Sequence, residues 1–296
     1  MKNLVLATFA SLLLSSQFSA VSAPPPRLPR FNEVYRVNTH NSYWVKRDNN
    51  FEAFASGTQE RLLDQLLFDH ARSLEIDVHK DNPHPGNWTI YHTDKQSNSL
   101  CSPLGECLKQ LQQFHYALPR HDPVLVVIEL KEILEYNFDR SHRPADFDAI
   151  LEHYLADSLY RPREFLARCA PGASMRDCAR QKGWPTLEEL RGKFLFAVLG
   201  NWRWCTVGHG GSGWAEYATA DGGPRARSAF SMSSDFVDLT HESCGTELVA
   251  AEKLQAAYDA SVLQQVEESD NAAHLVDVAK FIAEGGIVRG HDAHSE

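Results

Sequence analysis

Apolar residues along this chain follow two rhythms. Residues 124–130 read Val-Leu-Val-Val-Ile-Glu-Leu. An almost unbroken apolar run of that length is what a strand buried on both faces of a parallel sheet needs. Residues 73–78 alternate instead, with Leu74, Ile76 and Val78 on one face and Glu75 and Asp77 on the other. Shorter strands are expected at 34–38, 88–92, 193–199, 228–232, 236–239 and 287–289. Helical spacing marks residues 51–71, through Leu62, Leu63, Leu66, Leu67 and Ala71, and residues 104–118, through Leu104, Leu108, Leu111 and Tyr116. Further helices are expected at 145–159, 246–266 and 272–283. Thr186-Leu187-Glu188-Glu189 is a capping box opening a short helix that Gly192 ends. Residues 201–227, glycine-rich with Trp202, Trp204 and Trp214, read as a long loop. Strands alternating with helices in this way predict an α/β fold, a TIM-like (β/α)₈ barrel, regular or distorted. An open doubly wound sheet is the competing arrangement. It lacks its usual glycine-rich phosphate loop here, because the first strand leads into Thr39-His40-Asn41-Ser42.

The first 23 residues stand apart from this pattern. Lys2 precedes an apolar stretch at 4–14, and Ala20-Val21-Ser22-Ala23 is a small-residue cleavage signal followed by three prolines. These features predict a secretory signal peptide over 1–23, with 24–296 forming one barrel domain. The mature chain is then expected outside the cell or in a periplasm, and no later stretch is long and apolar enough to span a bilayer. In an oxidising compartment the six cysteines are expected to pair. Proximity favours Cys101–Cys107 and Cys169–Cys178, which leaves Cys205 with Cys244, although six cysteines allow 15 pairings. Asn87-Trp88-Thr89 is a glycosylation sequon of use in a eukaryotic secretory pathway. The net charge of −10 argues against a nucleic-acid partner and against strong docking to anionic membranes, and it suits a cation site.

Candidate chemistry gathers at the predicted strand ends. The first strand ends in His40-Asn41, the second carries Glu75 and Asp77, the third ends in His92, and the 124–130 run closes on Glu129 and Lys131. Strand tips are where a barrel presents its functional residues. Carboxylates in a packed interior cost several kcal/mol unless a cation or protons compensate. A hard cation bound by Asn41, Glu75, Asp77 and Glu129 resolves that cost, and the all-oxygen set favours Ca²⁺, or alternatively Mg²⁺, over zinc. Ordinary salt bridging, for example Glu75 with Lys131, is the bland alternative. His40 and His92 are the acid–base candidates, because free histidine titrates near neutrality and one can accept a proton while another donates one. Phosphodiester cleavage needs both roles, and a cation supplies positive charge for the phosphorane. The other histidines, His70, His79, His115, His121 and His153 among them, lack this context and are read as structural or surface residues.

His40-Asn41, Glu75-x-Asp77, His92 and Glu129 together resemble, in order and spacing, the catalytic core of calcium-dependent phosphatidylinositol-specific phospholipases C. The Thr39-His40-Asn41-Ser42-Tyr43 start is similar to the secreted bacterial and fungal branch, and the resemblance runs over residues 31–292, strongest up to 132. It implies a TIM-like barrel, a phospholipid substrate met in transient contact with a membrane surface, and attack by the inositol 2-hydroxyl on phosphorus. Diacylglycerol leaves and a cyclic inositol phosphate forms. Carried over, His40 stabilises the phosphorane or acts as base, and His92 protonates the leaving group. Asn41, Glu75, Asp77 and Glu129 hold calcium.

The chain also departs from that family. Residues 194–198 hold no lysine for substrate phosphates, leaving Lys131 or Lys193 to serve, and Arg289 is the one cation carried over near the end. Trp202 and its neighbours could touch the inositol ring or a membrane interface, or plug the core.

Glycerophosphodiester phosphodiesterases and sphingomyelin-cleaving phospholipases D resemble the same His, Glu-x-Asp, His layout. The former usually follow the first histidine with arginine, whereas Asn41 stands here. A secreted binding protein on the same barrel is the alternative of another class, and it would not need two acid–base histidines.

Overall fold

The computed structural model describes residues 27–46, 58–92, 98–131, 138–200, 211–234, 251–267 and 272–291. At its centre β4 (Val124–Leu130) is buried at every residue, as its apolar run predicts. It lies between β2 (Ser73–Lys80) and β5 (Phe194–Gly200), parallel to both. The parallel path continues through β6 (Phe230–Ser234), β7 (Ser261–Glu267) and β8 (Ile287–His291), and on the other side β2 pairs with β1 (Asn38–Thr39). β3 (Trp88–Ile90) lies off this path, antiparallel to β2. The fold is therefore a distorted TIM-like barrel. Among the described residues, seven strands run parallel, the eighth is a hairpin strand, and no ladder joins β8 to β1.

Strand alternation sorts the core into two layers. Leu74, Ile76, Val78, Val126, Ile128, Phe196 and Val198 face outward into a cluster with Leu62 and Leu66 of α1 (Leu62–Leu67), Leu108 and Phe114 of α2 (Leu104–Ala117) and Phe147 of α3 (Pro144–Leu155). Leu125, Val127, Leu195, Ala197, Leu199 and Met232 face the other way, into an inner cluster with Phe31 and Trp184. Burying each Val, Leu, Ile, Phe or Met side chain among them stabilises the fold by about 1.5–3 kcal/mol. On the inner face of β2 and β4 the chemistry changes along the strand. Leu125 and Val127 give way to Glu129, and Glu75 and Asp77 sit beside them, with Asp77 in register with Glu129.

The remaining helices are α4 (Pro162–Leu166), α5 (Met175–Lys182), α6 (Gly211–Thr219), α7 (Ala251–Asp259) and α8 (Ala272–Ala283). Several sequence expectations are corrected. The first strand is two residues at 38–39, not 34–38, because Tyr35 and Val37 are exposed and take no part in the sheet. Helix α1 is shorter than 51–71, although residues 47–57 lie outside the described residues. On α2, Phe114 takes the buried place assigned to Tyr116, which is exposed. The Thr186–Glu189 capping box forms its hydrogen bonds but closes turns, not a helix. Within the expected loop at 201–227 lies α6, and Trp214 on it is buried and donates to Ser231 Oγ at 2.7 Å. The expected helix at 246–266 ends at Asp259, and residues 261–267 form β7. The expected strand at 236–239 falls outside the described residues, as do Trp202, Cys205 and Cys244. Cys101–Cys107 and Cys169–Cys178 are bridged as expected.

Candidate active site

The turn after β1 is bound tightly to β2. Ser42 N donates to Glu75 O at 3.0 Å, and Glu75 N donates to Ser42 Oγ at 2.8 Å. Two glutamines brace the turn from outside. Gln59 Nε2 donates to His40 O at 2.9 Å, and Gln65 Nε2 donates to Ser42 O at 2.7 Å. Asn41 has φ of 47°, in the left-handed region that asparagine tolerates better than most residues. Its amide oxygen accepts from the Tyr43 hydroxyl at 3.1 Å.

Glu75, Asp77 and Glu129 converge. One oxygen from each lies within 4.8 Å of the others, and all three side chains are buried. Lys131 Nζ is 2.9 Å from Glu129 Oε1 and 3.6 Å from Asp77 Oδ2. Arg289 is buried and donates to Glu75 Oε2 and Gln265 Oε1. With the Asn38 amide turned so that its oxygen faces the guanidinium, Asn38 accepts from Arg289 Nε at 3.1 Å and donates to Ser73 Oγ at 2.8 Å. The two histidines stand beside different carboxylates. His40 Nε2 is 4.0 Å from Glu75 Oε1, and His92 Nε2 is 4.0 Å from Asp77 Oδ2 and 3.3 Å from Lys131 Nζ. His40 is the more open, with its side chain 45 % exposed against 22 % for His92.

The charges do not balance. Three carboxylates face two cations, Lys131 and Arg289. Burial pushes Glu75 up, but the Arg289 guanidinium leads the groups that outweigh it and bring its pKa down to about 2. Asp77 is pushed well above the carboxylate range by burial, against the pull of Lys131. Glu129 is raised for the same reason, and Lys131 is raised by Asp77 and Glu129 despite its own burial. Glu75 Oε1 and both Asp77 oxygens are buried without a hydrogen-bond donor. Unsatisfied buried carboxylate oxygens in an all-oxygen cluster fit a hard divalent cation, and they fit calcium in particular, which tolerates irregular oxygen sites.

Two residues escaped the sequence reading. Tyr43 is fully buried, and its phenol is pushed well above 10 by burial and by Asp77. His79, read there as structural or surface, follows Asp77 on the same face of β2. Its Nε2 lies 3.0 Å from Tyr91 O and 2.9 Å from His92 O, at the segment that presents His92. Continuing the Glu75, Asp77 alternation one step further would have singled out His79.

Residues 83–202 match the family model described as phosphoinositide phospholipase C, Ca²⁺-dependent. That span contains His92, Glu129 and Lys131, while the turn after β1 and the Glu75, Asp77 pair precede it. Among solved structures, the chain is similar to a calcium-dependent phosphoinositol-specific phospholipase C from a Gram-negative Pseudomonas species, in a myoinositol complex. The TM-score is 0.65 at 19% identity, over 89% of this chain and 84% of that one. It is also similar to a calcium-dependent phosphatidylinositol-specific phospholipase C from Streptomyces antibioticus, with a TM-score of 0.61 at 20% identity, over 88% of this chain and 82% of that one. At these identities the likeness is one of fold. The comparison with curated proteins gives no match.

Proposed function

We propose that this chain, by its match over residues 83–202 a phosphodiester-cleaving enzyme of the calcium-dependent phosphoinositide phospholipase C family, cleaves phosphatidylinositol-type lipids to diacylglycerol and a cyclic inositol phosphate. One observation carries the reading. Three buried carboxylate oxygens lie within 4.8 Å of one another, with one histidine 4.0 Å from Glu75 and another 4.0 Å from Asp77. Asn41, Glu75, Asp77 and Glu129 would hold calcium, and a bound cation there supplies positive charge for the phosphate oxygens.

The chain's own groups do the rest. His40, the more open histidine, would take the proton of the inositol 2-hydroxyl as that oxygen bonds to phosphorus. The bond from phosphorus to the glycerol oxygen breaks, and His92 returns a proton to the leaving oxygen. Lys131, 3.3 Å from His92 Nε2, would draw a phosphate oxygen towards that acid. Arg289 keeps Glu75 ionised and in place from beneath the carboxylates. Trp202 remains a proposed contact for the inositol ring or the membrane interface.

Residues 24–296 act as one domain in this reading, secreted or periplasmic after loss of residues 1–23. The two bridged cysteine pairs are in keeping with an oxidising compartment. No described helix is long and apolar enough to cross a membrane, and the enzyme would meet lipid by transient surface contact.

The test is incubation with phosphatidylinositol vesicles, with calcium or with a chelator, followed by phosphorus NMR. A cyclic inositol phosphate formed only with calcium is the expected result. Cleavage of glycerophosphodiesters or sphingomyelin alone would move the substrate to another class.

A further inference from the structure

We infer that Tyr43 is a positioning residue for the cation site, acting through Asn41. The inference rests on the proposed reading that Asn41 helps to hold the cation. Tyr43 is fully buried, and its ring packs in the outer core cluster with Trp44, Leu62 and Leu66. The ring is therefore fixed by packing, and it holds the hydroxyl 3.1 Å from the Asn41 amide oxygen, beside the Asp77 carboxylate.

The backbone around Asn41 is held independently. Trp44 N donates to Asn41 O at 2.8 Å, and Ser42 is tied to Glu75 in both directions. Those bonds fix where Asn41 starts but not how its amide is turned. Among the described residues, the hydrogen bond that sets the amide is the one from Tyr43. An amide oxygen has two lone pairs. With one taken by the phenol, the rotation of the amide is fixed and one lone pair is left for a cation. The neutral ligand of the site is thus oriented before any cation arrives. Partners that orient a metal ligand in this way typically cost 10–100-fold in metal affinity or activity when they are removed.

The experiment is calorimetric titration of the full mature chain with calcium, comparing wild type, Tyr43→Phe, Asn41→Ala and the double variant. Tyr43→Phe keeps the ring and removes only the hydroxyl. The expected result is a calcium Kd raised about 10–100-fold by Tyr43→Phe, with no further loss when Tyr43→Phe is added to Asn41→Ala. A Tyr43→Phe chain that melts earlier in chelator but binds calcium as tightly as wild type would overturn the inference and leave the cation site standing. A wild type that binds no calcium would overturn the cation reading itself, and this inference with it. If Tyr43→Phe does not fold, fluorine NMR of wild type labelled with 3-fluorotyrosine decides. One tyrosine resonance must move on calcium addition and lose that response in Asn41→Ala. No such resonance would overturn the inference.

Discussion

Arg289 on β8 donates to Glu75 Oε2 on β2, across the gap between β8 and β1 where no ladder runs among the described residues. The same guanidinium reaches Gln265 on β7 and Asn38 on β1, so one side chain touches three strands besides its own. Both partners of the ion pair are buried. Removing Arg289 leaves an uncompensated buried carboxylate, a change that costs about 3–5 kcal/mol. Arg289→Met should lower the urea-unfolding free energy by that amount in chelator, and adding Glu75→Gln should recover much of it. A loss within about 0.5 kcal/mol, typical of a surface substitution, would mean that the pair does not hold the seam.

Calcium should stabilise the folded chain by mass action. At free calcium 100 times Kd the gain is about 2.7 kcal/mol. Thermal or urea unfolding with calcium against chelator reads it directly. Asp77→Asn and Glu129→Gln should each shrink that gain, and neither should destabilise the chelated protein as Arg289→Met does. Both carboxyls are already pushed towards their neutral forms by burial.

The two histidines should separate chemistry from cation binding. His92→Ala should lower kcat about 10²–10⁴-fold, the usual worth of a general acid, with calcium affinity little changed. Steady-state kinetics on phosphatidylinositol together with calorimetry tests both halves. An equal fall in calcium affinity would recast His92 as part of the cation site.

Acid should act at the opposite end of the sheet. His121 precedes β4, with Nε2 3.2 Å from His115 Nδ1 and Nδ1 2.7 Å from Asp122 O. Burial lowers its pKa from 6.5 to about 4. The folded state thus binds fewer protons than the unfolded chain between those values. Stability from this group is full above about pH 6.5 and is lost as pH falls towards about 4. His79 is lowered to about 4 as well, so it adds a slope of the same sign. His121→Phe should flatten, without abolishing, the fall of unfolding free energy across that window, measured by urea unfolding at stepped pH. An unchanged slope would remove His121 from the account.

The sequence made β2 and β4 legible because their rhythms differ, one alternating and one continuous, and because the carboxylates sit on the inward positions. The same logic misread residues 34–38, where Tyr35 and Val37 are apolar but exposed. It also missed β7, because Ser261 follows the last turn of α7 with no glycine or proline between them, and Val262 and Leu263 continue an apolar pattern that a helix would also show. Glu75, Asp77 and Glu129 were found from local pattern alone. The Arg289 contact with Glu75 spans 214 positions, and no local rhythm encodes it. Nor does spacing reveal that Tyr43 folds back onto Asn41 two positions before it. That contact depends on the left-handed turn at Asn41 and on the pocket that traps the ring.

A closed barrel has no ends, whereas among the described residues this sheet has two, and they are bridged by the side chain of Arg289. Its weakest margin is β1, which holds two residues in register with β2, beside a β2–β4 ladder of six registered pairs. Unfastening should therefore begin at the seam and reach β1 first, with the Ser42–Glu75 bonds the next to give way. His40 and Asn41 leave with it, while Asp77 and Glu129 stay paired across the β2–β4 ladder. The expected order separates the centre, with His40 and Asn41 lost while the paired carboxylates persist. A chain cut back before Arg289 would already sit partway along that route.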